Sequence, residues 1–322
     1  MPFNNPIILQ RADPFVVKHT DGHYYLTASV PEYDRIEIRR AKTIQGLGAT
    51  AEMRTIWKKH ESGVMSWHIW APELHFIDGK WYVYFAAGKQ EAIWDIRIWV
   101  LSNASADPFQ GEWKEEGQIK TDFESFSLDA TTFVHRGRRY LAWAQKGKTD
   151  PNNSDIFLAE MESPLKLKLP ATVISEPDQP WERIGYNVNE GPAFLAHGNK
   201  VFIAYSASAT DHNYCIGLLT ADAGADLLDA RSWRKSPGPV MKTNEDNSQY
   251  GPGHNSFTKS EDGLHDVIVY HARNYRDVKP NPLQDPNRHT RAQYVTWTAD
   301  GMPDFGEPEP DSQPPISGVG SR

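Results

Sequence analysis

Cysteine is almost missing from this chain: Cys215 is the one thiol in 322 residues, so no internal disulfide can form. It lies in the strand-like run Tyr214-Cys215-Ile216-Gly217-Leu218-Leu219 with no partner motif around it, which reads as packing and not as a nucleophile. Basic charge is also scarce. Lys and Arg number 34 against 42 Asp and Glu, giving a formal charge of −8 and a pI near 5.8. That balance argues against a non-specific nucleic-acid binder or an anionic-membrane binder, both of which need basic surface. The expected partner is small and neutral, or a polymer that is not strongly anionic. No apolar run approaches the ~20 residues of a membrane-spanning helix. The start, Met1-Pro2-Phe3-Asn4-Asn5-Pro6, has no basic region followed by an apolar run, and the expectation from it is a cytoplasmic protein. There is no GxxxxGK phosphate loop, no HExxH zinc helix and no GxSxG nucleophile turn, so nucleotide-dependent and serine-hydrolase chemistry fall away. Helical periodicity is scarce too, with at most one turn near Leu227 to Arg231.

Aromatic residues, by contrast, are plentiful: 11 Trp, 13 Tyr and 13 Phe, which suits strands and also flat platforms for sugar rings. Five segments share one plan, namely a distinctive residue, a short apolar run, a turn centred on Gly, and an aromatic-rich return. The first runs from Ala12-Asp13-Pro14-Phe15 through Asp21-Gly22 to Tyr24-Tyr25-Leu26. The others start at Ala71, Asp129, Glu190 and His254 and turn at Asp78-Gly79, Arg136-Gly137, Gly198 and Asp262-Gly263. Each is a β-hairpin whose turn residue supplies a positive φ. The starts are separated by 58 (Asp13 to Ala71), 58 (to Asp129), 61 (to Glu190) and 64 residues (to His254), room for two further strands per unit. The expected fold is therefore all-β, a five-bladed β-propeller occupying residues 1–306 as a single catalytic domain, with 307–322 an irregular Pro-, Gly- and Ser-rich extension. A β-sandwich is the alternative, and it leaves the even spacing without a cause.

In a propeller the first strand of each blade lines the central channel. Asp13, Ala71, Asp129, Glu190 and His254 are thus read as equivalent positions converging on one axis. Three are carboxylates and one is histidine, where turn-forming or strand-capping residues would be the bland alternative. Hydrolysis of a glycosidic bond needs one carboxylic acid to protonate the departing oxygen and one carboxylate to handle the nucleophile. A third acid can keep the donor's pKa up.

These motifs, Ala-Asp-Pro in the first unit, Ile-Trp-Ala-Pro-Glu-Leu-His in the second, Leu-Asp-Ala in the third and Asn-Glu-Gly-Pro in the fourth, resemble those of family 43 glycoside hydrolases from Asn5 to Gly306. The resemblance implies inversion at the anomeric carbon, with Asp13 as general base, Glu190 as general acid and Asp129 tuning and orienting the acid. It matches His254 to a histidine reaching toward a channel calcium or sodium ion, against the alternative of a hydrogen-bonded residue without metal. It implies no organic cofactor. It places a sugar-contacting arginine at Arg291, with Arg288 near enough to compete, and Trp70 as a stacking residue or simply core. The stretches Val30 to Ile36 and His68 to His75 are most similar to exo-acting α-1,5-L-arabinofuranosidases, and a C-terminal β-sandwich common in the family's β-xylosidases is absent from the sequence. The implied partner is an arabinose-containing oligosaccharide or polysaccharide, with no nucleic acid and no membrane. A β-xylosidase, an endo-arabinanase and a non-catalytic sugar-binding propeller remain as alternatives.

Overall fold

A computed structural model describes residues 3–148, 151–279 and 281–312. β-Branched and aromatic runs punctuated by Gly turns build twenty strands among these residues, β1 to β20 in chain order, arranged as five four-stranded antiparallel sheets. Within each sheet the strands pair in the order in which the chain makes them, so every blade is a meander. The inner strands are β1 (Ala12–Lys18), β5 (Trp67–Ile77), β9 (Ser127–His135), β13 (Asn189–His197) and β17 (Tyr250–Lys259). Each returns along a second strand: β2 (Tyr24–Ser29), β6 (Lys80–Lys89), β10 (Arg138–Gln145), β14 (Lys200–Ala207) and β18 (Asp266–Arg273). Asp78 and Gly79, and Arg136 and Gly137, all have positive φ, the geometry of the tight turn expected there. No helix among the described residues is long and apolar enough to cross a membrane.

Large side chains fill the spaces between blades; Trp81 and Trp143 are fully buried in two such layers. The ring is closed by the chain's beginning. Ile7 N donates to Thr290 O (2.8 Å), Thr290 N donates to Ile8 O (2.9 Å), and the Asn5 side chain pairs with both backbone groups of Ala292 (2.9 and 3.0 Å). Thr290 and Ala292 lie in β19 (His289–Trp297), so the first blade is tied to the fifth. The described part of the 307–322 segment is docked on this seam: Asp311 accepts from Arg291 and Gln249, and Ser312 N donates to Asn5 O. The remainder of that segment, 313–322, lies outside the described residues.

All five inner strands carry a β-bulge at one register, where two residues face a single partner. The pairs are Asp13-Pro14, Ala71-Pro72, Asp129-Ala130, Gly191-Pro192 and His254-Asn255. The first member of each has a left-handed φ, from 43° to 57°. A bulge re-aims a side chain and is found beside active sites. This register corrects the alignment read from sequence. In the fourth blade the equivalent of Asp13, Asp129 and His254 is Gly191, and Glu190 stands one residue earlier, paired with Ser206. Three bulge amides are latched to the second strand of the preceding blade. Ala71 N donates to Ser29 Oγ (2.8 Å), His254 N to Ser206 Oγ (2.7 Å) and Asp13 N to His271 Nδ1 (3.1 Å). Gly191 N donates instead to the Asp129 carboxylate itself (3.0 Å).

Candidate active site

The three acids meet at the channel mouth, Asp13 and Asp129 buried and Glu190 half-buried. His254 joins two of them, with Nδ1 at 3.4 Å from Asp13 Oδ1 and 3.9 Å from Asp129 Oδ2. Gly191 makes this possible. A Cβ there would lie 3.1 Å from His254 Cγ, and the residue's φ of +55° disfavours any side chain.

The acids experience opposite fields. Burial works against ionising Asp13, but Arg288, His254 and the Ser29 hydroxyl together outweigh it and hold the carboxyl well below the usual range. Arg288 Nη1 is 3.1 Å from Asp13 Oδ1, and Ser29 Oγ donates to Asp13 Oδ2 (2.5 Å). Burial pushes Asp129 and Glu190 up, and no cation lies against either to the same degree. Tyr214 Oη donates to Glu190 Oε1 (2.7 Å), which leaves the other oxygen of Glu190 for a substrate. Buried carboxyls this closely linked titrate as a set, so Asp129 and Glu190 retain a proton at pH values where Asp13 is fully ionised.

The two histidines also differ. Burial opposes a charge on His254, yet Asp129, Asp13 and Glu190 raise its pKa. Burial and Arg288 push His271 far down, so its short distance to Asp13 (3.4 Å) is not an ion pair. The neutral ring accepts the Asp13 amide at Nδ1, which puts its proton on Nε2.

Arg291 is corrected by the structure. Its guanidinium is fully buried against Asp311, Ala272 O and His289 O, on the blade-one to blade-five seam and not at the acids. The arginine beside Asp13 is Arg288, just before β19, where the chain enters the blade at the mouth. Arg288 Nη2 also donates to Tyr33 Oη (3.0 Å). The segment carrying Arg288 is braced by Arg273, which donates to Asp285, Thr210 O and Pro282 O.

Trp70, on β5 of blade two, is buried in the cluster that continues into blades three and four, with its Nε1 lacking a partner among the described residues. Tyr33 meets it edge-on at 5.7 Å, His68 stacks on it at 4.1 Å, and Trp94 lies 6.3 Å away. Burial lowers His68 to about 4, so it is a neutral ring in this wall. Tyr33, His68, Trp94, Tyr214, His271 and Ser29 were not singled out from sequence. The bulge register locates Ser29 and His271, opposite Ala12 and Gly253 respectively, while the others lie in loops and strand ends that no spacing marks.

For a channel ion the fit is poor. Among the described residues no group of three or more His, Cys, Asp or Glu side chains is placed to hold a metal. His254 turns Nδ1 to two carboxylates that favour its protonated form, and a proton on the ring competes with a cation. No chemical step is routed through a metal here. Cys215 is buried and burial pushes its thiol up to about 12, as fits packing.

Comparison with known proteins gives one consistent neighbourhood. An extracellular exo-α-(1→5)-L-arabinofuranosidase of Streptomyces avermitilis is 60% identical over 314 residues, 98% of this chain and 65% of that protein. A Streptomyces chartreusis protein of the same name is 56% identical over 281 residues, 87% of this chain and 85% of its own. This chain therefore spans just under two thirds of the Streptomyces avermitilis protein. The crystal structure of an α-L-arabinofuranosidase from Lactobacillus brevis superposes with a TM-score of 0.92 at 51% identity, covering 96% of this chain and 97% of that one. The cytoplasmic location expected from the start of the sequence is overturned by the two Streptomyces relatives, both named extracellular. The family model for glycosyl hydrolases family 43 matches residues 3–303, and the chain belongs to that family.

Proposed function

We propose that this protein is an exo-acting α-1,5-L-arabinofuranosidase that removes terminal arabinofuranose with inversion, acting outside the cell. The observation that carries this reading is the division of charge among the acids: Asp13 held ionised by Arg288, Glu190 and Asp129 pushed toward the protonated form by burial. In the reaction, Asp13 takes a proton from a water as its oxygen attacks the anomeric carbon. The glycosidic carbon–oxygen bond breaks with its electron pair going to the departing oxygen, which takes the proton of Glu190. Asp129 keeps Glu190 loaded, and its grip on the Gly191 amide orients the turn beside the acid. Arg288 keeps Asp13 ionised, the form that can accept a proton, and its hydrogen bond fixes the direction of the carboxylate. The neutral pairing of roles, one base and one acid on non-adjacent blades, is the arrangement an inverting enzyme needs, with carboxyls expected roughly 6.5 to 9.5 Å apart. The likeness to relatives named exo-α-(1→5)-L-arabinofuranosidase supports the choice of sugar. A channel cation would have to be mostly water-ligated, and mass-spectrometric metal analysis of the purified protein reads it directly.

The test is hydrolysis of an aryl α-L-arabinofuranoside against an aryl β-D-xyloside, with the first-formed anomer followed by NMR. Cleavage of the arabinoside with an inverted product is expected. Retention of configuration would contradict the roles of both Asp13 and Glu190. Asp13→Asn should abolish turnover while keeping product binding by calorimetry. Glu190→Ala should impair arabino-oligosaccharides far more than the activated aryl glycoside, whose leaving group needs less protonation.

A further inference from the structure

Glu190 is reached through a loop with no assigned role. Residues Pro180–Glu182 form a single 3-10 turn, and the chain then passes Arg183, Ile184, Gly185, Tyr186 and Asn187 before entering β13. At the tip Ile184 is 46% exposed and Tyr186 61% exposed. Single exposed apolar residues are ordinary on any protein surface. What sets these two apart is how firmly they are presented and what they stand beside.

The loop is fixed at both ends. Ile184 N donates to Ser208 Oγ (3.0 Å), and Ala209 N donates to Ile184 O (2.9 Å). Ser208 Oγ in turn donates to Trp181 O (2.8 Å). Gly185 has φ +81°, and a Cβ there would come 2.8 Å from Ala209 Cβ, so the tip lies flat on the neighbouring strand end. On the far side Asn153 N donates to Asn187 O (2.8 Å) and Asn189 N to Ser154 O (3.0 Å). Below, the fully buried Glu182 carboxylate accepts from Gln179 N, Asn189 Nδ2, Tyr205 Oη and Lys235. Such a tip loses little freedom when something binds it.

Direction follows from the chemistry. Water comes from the Asp13 side, so the departing oxygen lies toward Glu190 and the rest of the substrate continues past the acid. Tyr186 is four residues from Glu190, no more than about 14 Å of extended chain. The aromatic group of Tyr33, Trp70 and Trp94 belongs to blades one and two, whereas the tip leads into β13 of blade four with Glu190. We propose that the Ile184–Tyr186 tip is the platform for the leaving portion of the arabinan chain, with Tyr186 stacking on a sugar beyond the scissile bond. This rests on the arabinofuranosidase reading and names the surface that reads chain length.

The experiment compares α-1,5-arabinotriose, which has a leaving chain, with α-L-arabinofuranosyl fluoride, which has none. Tyr186→Ala should lower kcat/KM for the triose about fivefold, the order of one aromatic contact, through KM and not kcat. The fluoride should be hydrolysed at the wild-type rate, and Tyr186→Phe should restore the triose. Ile184→Ser should show the same substrate dependence more weakly. Unchanged fluoride turnover shows that each variant is folded. Equal losses on both substrates, or no loss on the triose, overturn the proposal alone. A wild-type protein that cleaves neither substrate overturns the arabinofuranosidase reading and this inference with it.

Discussion

Replacing Asp129 with Asn separates what the site costs the fold from what it gives the reaction. Asn keeps the shape and keeps an oxygen for the Gly191 amide, but it removes the charge that burial makes unfavourable. Burial, helped by Glu190 and Asp13 and opposed by His254, raises Asp129 from 3.8 to about 7. A raised acid pKa means the folded chain binds the proton more tightly than the unfolded one. Stability from this group is therefore complete below about pH 4 and is lost as pH rises through 7. Three units at 1.36 kcal/mol each set a ceiling of about 4 kcal/mol. Glu190 shares the titration and His254 loses a partner in the variant, so about 1 to 2 kcal/mol is the expected gain at pH 8.5. In a domain of this size that raises Tm by roughly 2 to 3 °C. At pH 5 the folded carboxyl is already protonated while the unfolded one is ionised, so only about a third of that gain should remain. Differential scanning calorimetry at both pH values measures this, with kcat expected to fall by orders of magnitude throughout. A Tm difference that is the same at pH 5 and pH 8.5, or a variant less stable at pH 8.5, would refute the reasoning.

Other outcomes follow from single contacts. Arg288→Met removes the nearest cation from Asp13, so the acid limb of the kcat/KM profile should move up by at least one pH unit; a profile lowered without displacement would count against Arg288 as the group that holds Asp13 ionised. Gly191→Ala places a methyl 3.1 Å from the His254 ring at a positive φ, which should cost about 1 to 3 kcal/mol in urea unfolding and most of the activity. Cys215→Ala should leave kcat/KM unchanged, and the native protein should resist iodoacetamide, since the thiol is buried and held protonated.

The blades were legible in the sequence because a hairpin announces itself through short-range chemistry. Asp78-Gly79 and Arg136-Gly137 require left-handed residues at the turn, and the flanking aromatic runs alternate with the pleat. The acids were legible because three carboxylates recur at blade spacing. The register around Glu190 was not, for a physical reason: the bulge residue of the fourth blade is Gly191, which has no side chain to be noticed, so the eye aligns its neighbour. Arg288 and Arg291 are both near the start of β19, and nothing local says which leaves the strand. The choice is made by Asp311, which takes Arg291 from the far end of the chain, and by the braced segment that turns Arg288 inward. Tyr214 escaped for a similar reason. Its ring needs the space that Gly253 leaves, since a Cβ at Gly253 would lie 2.2 Å from it, and that complementarity is made across the boundary between blades four and five.

The five bulges explain why the site is both strained and stable. A left-handed Asp, Ala or His costs roughly 1 kcal/mol or more and persists only where surroundings over-determine it. Here the surroundings are the neighbouring blades: Ser29 binds the Ala71 amide and the Asp13 carboxylate at once, and His271 and Ser206 hold the amides of Asp13 and His254. Each latch crosses a blade boundary, so closing the ring sets the bulges and setting the bulges aims the acids. Gly191 is the exception, because its amide is held by Asp129, a member of the reacting set. The turn beside Glu190 is therefore set by the carboxyl that titrates with it.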